Sequence, residues 1–511
     1  MCAVLAIPAV YLTIRSAEAQ AATWDLIVRP RTLALAGRSI LLAAAVTVAA
    51  IGVGLPLAWV TTKTDLPLRR LWAVLAPVPL VVPSYVGAFI LLSALGPRGL
   101  LQGLLEPLGV DRLPDIAGFP GAFLALTLFT YPYVYLLAAS AIRGLDPSLE
   151  DAARSLGHSR WRTFRRVTLP LLRPSIAAGG LLVALYTLHD FGAVSLMRYQ
   201  TFTQAIYLQY RAALDRTPAA ILSLMLIGVA LAVLVMERRA RGRARYYRTG
   251  TGTARAAAPV PLGRWRWVAV ALCATVALLG VALPVSVMLF WLIRGGSSGV
   301  ALDGLGPAAL NSLVAGGAGA ALAVAAGLPI ALLAARYPGW LARLAEMITY
   351  SAYALPGIVV ALALVFFGAN VTPTLYQKLP LLLVAYVVLF LPQAAEALRG
   401  ALLQVSPRLE EAARILGRGR WQVLRRVVAP LIARGALTGF ALVFLTTMKE
   451  LPATLLLRPT GFDTLATEVW TASSVGRFGE ASVPALLLIG LSAVPLYLMA
   501  RRVEIQEVRA E

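Results

Sequence analysis

Ionisable and metal-binding side chains are scarce in this 511-residue chain. Only 14% of residues are charged, and there are 2 Cys and 2 His. A soluble domain carries about 25% charged residues, so a soluble globular fold is excluded. Cys2, Cys273, His158 and His189 are too few and too scattered for a disulfide framework, a zinc site or a haem motif. A phosphate-cradling Walker A loop needs Gly-Lys-[Ser/Thr]. The lysines are Lys63, Lys378 and Lys449, preceded by Thr62, Gln377 and Met448, so no such loop exists in the sequence. No constellation of His, Asp, Glu and Cys suggests a membrane-embedded enzyme, and no catalytic residue, cofactor or resident metal is expected.

Apolar sequence is abundant: 59% hydrophobic residues and a mean hydropathy of +0.77. At roughly 20 residues per crossing there is room for a large bundle. Long apolar runs predict an all-α polytopic membrane protein of about twelve spans, near 1–14, 38–61, 71–95, 119–142, 175–197 and 217–236, then 266–293, 310–335, 345–368, 379–402, 433–456 and 482–500. The Arg-rich segment 237–265 divides a first repeat (1–236) from a second (266–511). With the N-terminus in the cytoplasm, cytoplasmic segments hold 32 of the 46 Lys+Arg, which predicts both termini inside. The +22 charge is then mostly a topology signal. The linker lacks aromatic interleaving beyond Tyr246 and Tyr247, which argues against nucleic acid. The first run covers only about 21 Å of a ~30 Å hydrocarbon core. It reads as a clipped transmembrane helix or as a signal peptide with Ala17-Glu18-Ala19 at its end. The first is preferred, because there is no basic n-region and Ala6-Ile7-Pro8-Ala9-Val10 resembles Ala282-Leu283-Pro284-Val285-Ser286.

The two halves are copies of each other. Pro83 matches Pro356 and Pro56 matches Pro329 at an offset of 273; Pro132 matches Pro392 and Pro147 matches Pro407 at 260. Six spans per copy make a parallel repeat, with a path between the halves as the expectation.

The best-matched stretch is a predicted cytoplasmic loop, Asp146 to Ile176 and Ser406 to Ala436, with its core at 146–170 and 406–430. Asp146 and Ser406 are N-cap types, each followed by a proline. Leu149, Ala152, Ala153 and Leu156 share one helical face, as do Leu409, Ala412, Ala413 and Leu416. Gly157 and Gly417 suit a helix C-terminus. A basic return helix should follow, with Trp161 and Phe164 (Trp421 and Leu424) on one side, and Pro170 and Pro430 then mark entry into the next span. Such a loop could rest on lipid headgroups or dock a partner; two matched copies favour a partner of twofold symmetry.

These residues carry a resemblance. Asp151-Ala152-Ala153, Gly157 and Val167-Thr168-Leu169-Pro170, with Glu411-Ala412-Ala413, Gly417 and Val427-Val428-Ala429-Pro430, resemble the EAA loop of ABC importer permeases. The departures are Asp151 for Glu, Val for Ile in both copies, and Ala429 for Leu. The resemblance covers essentially the whole chain as a fused pair of permease domains. It implies a bacterial inner-membrane permease, two copies of a separate ATPase subunit docked on the loops, and an extracytoplasmic solute-binding protein. By the same carry-over, Asp151, Gly157, Glu411 and Gly417 transmit ATP-driven closure.

Ionisable residues inside spans are costly and functional by default. Asp190 and Glu450 are repeat-equivalent, as are their neighbours His189 and Lys449. Two readings stay open: an acidic pair near the outer mouth that attracts a cationic cargo, or structural acids satisfied by Lys449, His189 or backbone at a helix end. The segments 189–207 and 448–470 resemble fused ferric-iron permeases, with fused thiamine permeases sharing the architecture. A secondary transporter is a further alternative, disfavoured by the paired loops.

Overall fold

The computed structural model describes residues 2–17, 25, 27–212, 217–241, 259–297, 304–337 and 339–508. Among them the regular elements are helical, and the β structure is one isolated bridge, Thr64 to Val260. The first repeat contributes α1 (Cys2–Ala17), α2 (Pro30–Lys63), α3 (Ser84–Leu95), α4 (Phe119–Gly144), α5 (Pro147–Ser155), α6 (Leu169–His189), α7 (Gly192–Leu196) and α8 (Thr217–Arg241). The second contributes α9 (Arg266–Ala277), α10 (Leu283–Ser297), α11 (Leu305–Arg336), α12 (Trp340–Ser351), α13 (Gly357–Asn370), α14 (Leu379–Gln404), α15 (Pro407–Ile415), α16 (Ala429–Met448), α17 (Pro452–Leu457) and α18 (Phe478–Val508).

Nine helices among the described residues are long and apolar enough to cross a bilayer, or ten if α12 and α13 form one broken span. That pair bends by 106° at Leu355-Pro356, where the proline pushes the preceding residue out of helical geometry. The run expected at 482–500 lies in α18, whose apolar stretch Phe478–Val494 is short, and α1 has 16 residues. Residues 242–258 of the expected linker lie outside the described residues. Its end is held to the close of α2: the Val260 amide donates to the Lys63 carbonyl and the Leu262 amide to Asp65 Oδ1, each at 2.8 Å.

Contacts gather the chain into two units that cut across the sequence repeat. One comprises 28–204 and 228–290; the other comprises 1–27, 205–227 and 291–511. In the first unit, α2, α4 and α6 form the core. Helices in a bilayer gain little from apolar burial against one another, so close backbone approach at small residues holds them. A Cβ on Gly54 would stand 2.9 Å from the Tyr131 carbonyl oxygen, and one on Gly179 would stand 2.8 Å from the Val134 Cα. Helix α9 adds Ala269, Cys273 and Val276 to this core.

In the second unit, α11, α14 and α16 repeat the device. Gly327 would bring a Cβ to 3.2 Å from the Ala395 amide, and Gly439 to 3.1 Å from the Ala397 Cβ. Both glycines are the repeat equivalents of Gly54 and Gly179. Helix α1 belongs here: Leu12 is fully buried, Tyr11 stacks on Phe366 at 4.4 Å, and the Arg15 guanidinium lies 5.3 Å from the same ring.

Candidate functional site: two anchored loops and two carboxylates at helix breaks

Each loop folds as a short helix closed by glycine. Asp146 caps α5, accepting from the Ser148 amide at 3.0 Å, whereas Ser406 makes no side-chain cap on α15. The expectation of two alike N-caps is corrected there. Gly157 and Gly417 have φ of +83° and +80°, a left-handed conformation that glycine adopts without the Cβ penalty. Each terminus is wrapped by paired bonds, His158 amide to Ala153 carbonyl at 3.2 Å and Arg418 amide to Ala413 carbonyl at 3.1 Å.

The basic return does not stop at the prolines. Trp161–His189 and Arg420–Met448 are each one continuous helical stretch of 29 residues. A π-helical turn, Phe164–Thr168 and Leu424–Val428, precedes each proline. Pro170 and Pro430 lack an amide donor, and a wider turn just ahead of them lets the helix continue.

The loops present apolar side chains outward. Leu156 and Leu416 are both 80% exposed, and Trp161, Trp421 and Ile415 are also exposed. Asp151, Ala152, Glu411 and Ala412 are exposed, Ala413 is half-buried and Ala153 is buried. Among the described residues Asp151 pairs with Arg154 on its own helix, at 2.7 Å.

The residues that fix the loops are the ones just before. Glu150 Oε2 meets Lys63 Nζ at 3.0 Å, with side chains 15% and 8% exposed. Glu410 Oε1 meets Arg336 Nε at 2.7 Å, at 11% and 10%. Lys63 and Arg336 are the last residues of α2 and α11 and are equivalent at the 273 offset; the two glutamates are equivalent at 260. Thr168 also donates to Glu150 at 3.0 Å, while Arg336 donates further to the Leu402 and Val405 carbonyls at 3.0 and 2.8 Å. A doubled acid in each loop, Glu150-Asp151 and Glu410-Glu411, was the available signal.

Asp190 and Glu450 follow the ends of α6 and α16. Asp190 is buried: Ser84 Oγ, at the start of α3, donates to Oδ2, and the Val194 amide donates to Oδ1 at 3.2 Å. Glu450 Oε1 accepts from the Ala453 amide at 3.1 Å. It lies so close to the start of α13 that a Cβ on Gly357 would be 2.5 Å from it. Each carboxylate thus sits where two helix N-termini present free amides and positive dipole ends. Thr203 and Thr454 bind the Asp190 and Glu450 carbonyls, both at 2.6 Å. His189 and Lys449 are half-buried, and His189 Nε2 has no hydrogen-bond partner among the described residues.

A duplicated, membrane-spanning helical chain with two such loops is a transport protein by architecture. The model for binding-protein-dependent transport system inner membrane components matches residues 34–246 and 327–509, and the chain belongs to that family. It is similar to the Fe(3+)-transport system permease protein FbpB 2 of Haemophilus influenzae, 32% identical over 97% of this chain and 96% of that protein. It is also similar to a probable molybdenum ABC transporter permease of Haloferax volcanii, 34% identical over 39% of this chain and 71% of that protein. The sulfate transport system permease CysW of Escherichia coli is 31% identical over 34% of this chain and 62% of its own length. The chain is a permease of an ABC transport system and a multi-pass inner-membrane protein.

Proposed function

We propose that this single chain supplies the whole translocation path of an ATP-driven importer for ferric iron. A separate external binding protein delivers the cargo, and two copies of a separate ATPase subunit sit on the two loops, with both chain termini cytoplasmic. The carrying observation is the duplicated loop, pinned from inside by a buried ion pair and presenting the same exposed leucine and tryptophan outward. ATP binding closes the ATPase dimer and moves α5 and α15. Because Glu150 and Glu410 tie these helices to α2 and α11, that movement reaches the membrane core without slack. Asp151, Glu411, Gly157 and Gly417 form the outward docking side of this lever.

The cargo assignment rests on the near full-length similarity to a ferric-iron permease, since the molybdenum and sulfate relatives match only part of the chain. Asp190 and Glu450 act as structural acids that hold the breaks after α6 and α16 against α3 and α13. Both oxygens of Asp190 accept hydrogen bonds from the protein, which supports the structural role. His189 and Lys449 flank these breaks.

Uptake of labelled ferric iron, molybdate, sulfate and thiamine in cells with and without the chain tests the cargo. Selective loss of iron uptake supports the assignment; unchanged iron uptake under iron starvation overturns it. Gly157→Leu with Gly417→Leu should abolish uptake through lost ATPase capture, read by co-purification. The purified chain alone should hydrolyse no ATP.

A further inference from the structure

We infer that the first repeat holds a phospholipid with a phosphoethanolamine headgroup in a groove between α2, α6 and α8. The groove has a volume of about 850 Å³, and its lining lies wholly within the first unit. Its walls include Ala43 and Thr47 of α2, Ala177, Gly180 and Ala184 of α6, and Val233 of α8. From Arg173 to Leu188 the lining runs about 22 Å along α6, most of the way across a ~30 Å hydrocarbon core.

The second repeat shows that the shared fold does not need this space. Gly180 and Ala184 are equivalent at the 260 offset to Phe440 and Phe444, whose rings stack with centroids 6.2 Å apart and 16° between planes. Ala43 is equivalent at 273 to Gly316, where a Cβ would stand 3.3 Å from the Phe444 ring. Two aromatic side chains thus fill in the second repeat what glycine and alanine leave open in the first. The charges in the lining are also particular to the first repeat. Arg173 and Glu237 stand where the second has Ala433 and Tyr497.

The lining selects the occupant. Its polar side chains are Thr47, Arg173 and Glu237, and the Thr47 hydroxyl donates to the Ala43 carbonyl at 2.7 Å. A buried water needs about 2–4 polar partners, which the walls along the groove do not offer, so an apolar filler is favoured over water. Both charges lie toward the loop side. Arg173 follows Pro170 by one helical turn, and Glu237 ends the apolar stretch Thr217–Glu237 of α8. The occupant is therefore apolar along its length and charged at one end, which is the pattern of a membrane lipid. Arg173 is exposed, and its guanidinium fork matches a phosphate. Glu237 in the same lining matches an ammonium and disfavours a headgroup of net negative charge. Phosphoethanolamine carries both groups. The site is independent of the cargo.

The test uses the full-length chain, purified in mild detergent, incubated with equal amounts of phosphatidylethanolamine and phosphatidylglycerol, and weighed by native mass spectrometry. The expected result is a single phosphatidylethanolamine retained per chain after detergent exchange. Ala43→Gly/Ala184→Phe copies into the groove a packing that the second repeat already uses, and should abolish retention. Arg173→Ala, at an exposed position where the other repeat has alanine, should weaken retention about tenfold, the scale of one lost charge-assisted hydrogen bond. A parent chain that retains no phospholipid overturns the site and points to protein over the groove. Parent-like retention by either variant overturns it as well, and so does a parent chain that prefers phosphatidylglycerol, which brings no ammonium to Glu237.

Discussion

The two repeats anchor their loops by the same charge pair with different parts. In the first, lysine and a threonine hydroxyl share Glu150. In the second, Val428 stands at the threonine's position, and an arginine binds Glu410 plus two backbone carbonyls. An ammonium is a compact point charge, whereas a guanidinium presents a fork of donors that can serve several acceptors at once. What persists between the copies is therefore burial and opposite charge at one place, and the hydrogen bonds around it are free to vary. The carboxylates at the helix breaks follow the same rule. A short Asp190 meets Ser84, and a longer Glu450 meets Gly357, so side-chain length and the space opposite it change together.

The sharpest way to break this comparison is to remove the cations. Arg336→Ala leaves Glu410 only its long 3.8 Å pair with Arg414, strips two carbonyls of their donor, and should cost about 3 kcal/mol. Lys63→Ala should cost less, because Thr168 still serves Glu150. Thermal unfolding of the purified chain orders the two, and equal or reversed losses would contradict the asymmetry. Lys63→Arg should be tolerated and Arg336→Lys should not.

Next in size is the length exchange at the first break. Asp190→Glu alone overpacks against Ser84, and Ser84→Gly alone removes a donor from a buried carboxylate, each costing about 1–3 kcal/mol. Combined, they recreate the arrangement of the second repeat, and a double-mutant cycle should show the pair costing less than the sum. Strict additivity would count against the compensation.

Smaller still, Gly157→Ala and Gly417→Ala should each cost about 1–2 kcal/mol from the left-handed backbone alone, equally in both copies, since an added Cβ would touch nothing at either position. Amide exchange over each loop would measure it. The smallest effect separates the caps: Asp146→Ala should cost about 1 kcal/mol, and Ser406→Ala close to nothing. Matched losses would mean that Ser406 caps its helix after all.

Much of this site was legible in the chain itself. Proline after a capping residue, and glycine two residues beyond the last turn, marked both loop helices because these residues act locally. The choice between adjacent acids was not legible. Glu150 and Asp151 differ by about 100° around a helix, and which of them turns inward depends on Lys63, 87 residues away. Pro170 and Pro430 read as the entry into the next span, and the π turn that carries the return helix through each of them leaves no compositional mark. Helix α1 was recognisable as apolar, yet nothing in its residues names Phe366 as its neighbour.

That last pairing sets a schedule for making the protein. Tyr11 leaves the ribosome 355 residues before the phenylalanine it stacks on. At about 5–20 residues per second, the first helix waits roughly 20–70 s for its seat to be synthesised. During that interval its buried face must be sheltered by lipid or by the insertion machinery. A gene cut at the linker would yield a first product whose opening helix has nowhere to settle until the second product arrives, so the two pieces should accumulate only when made together.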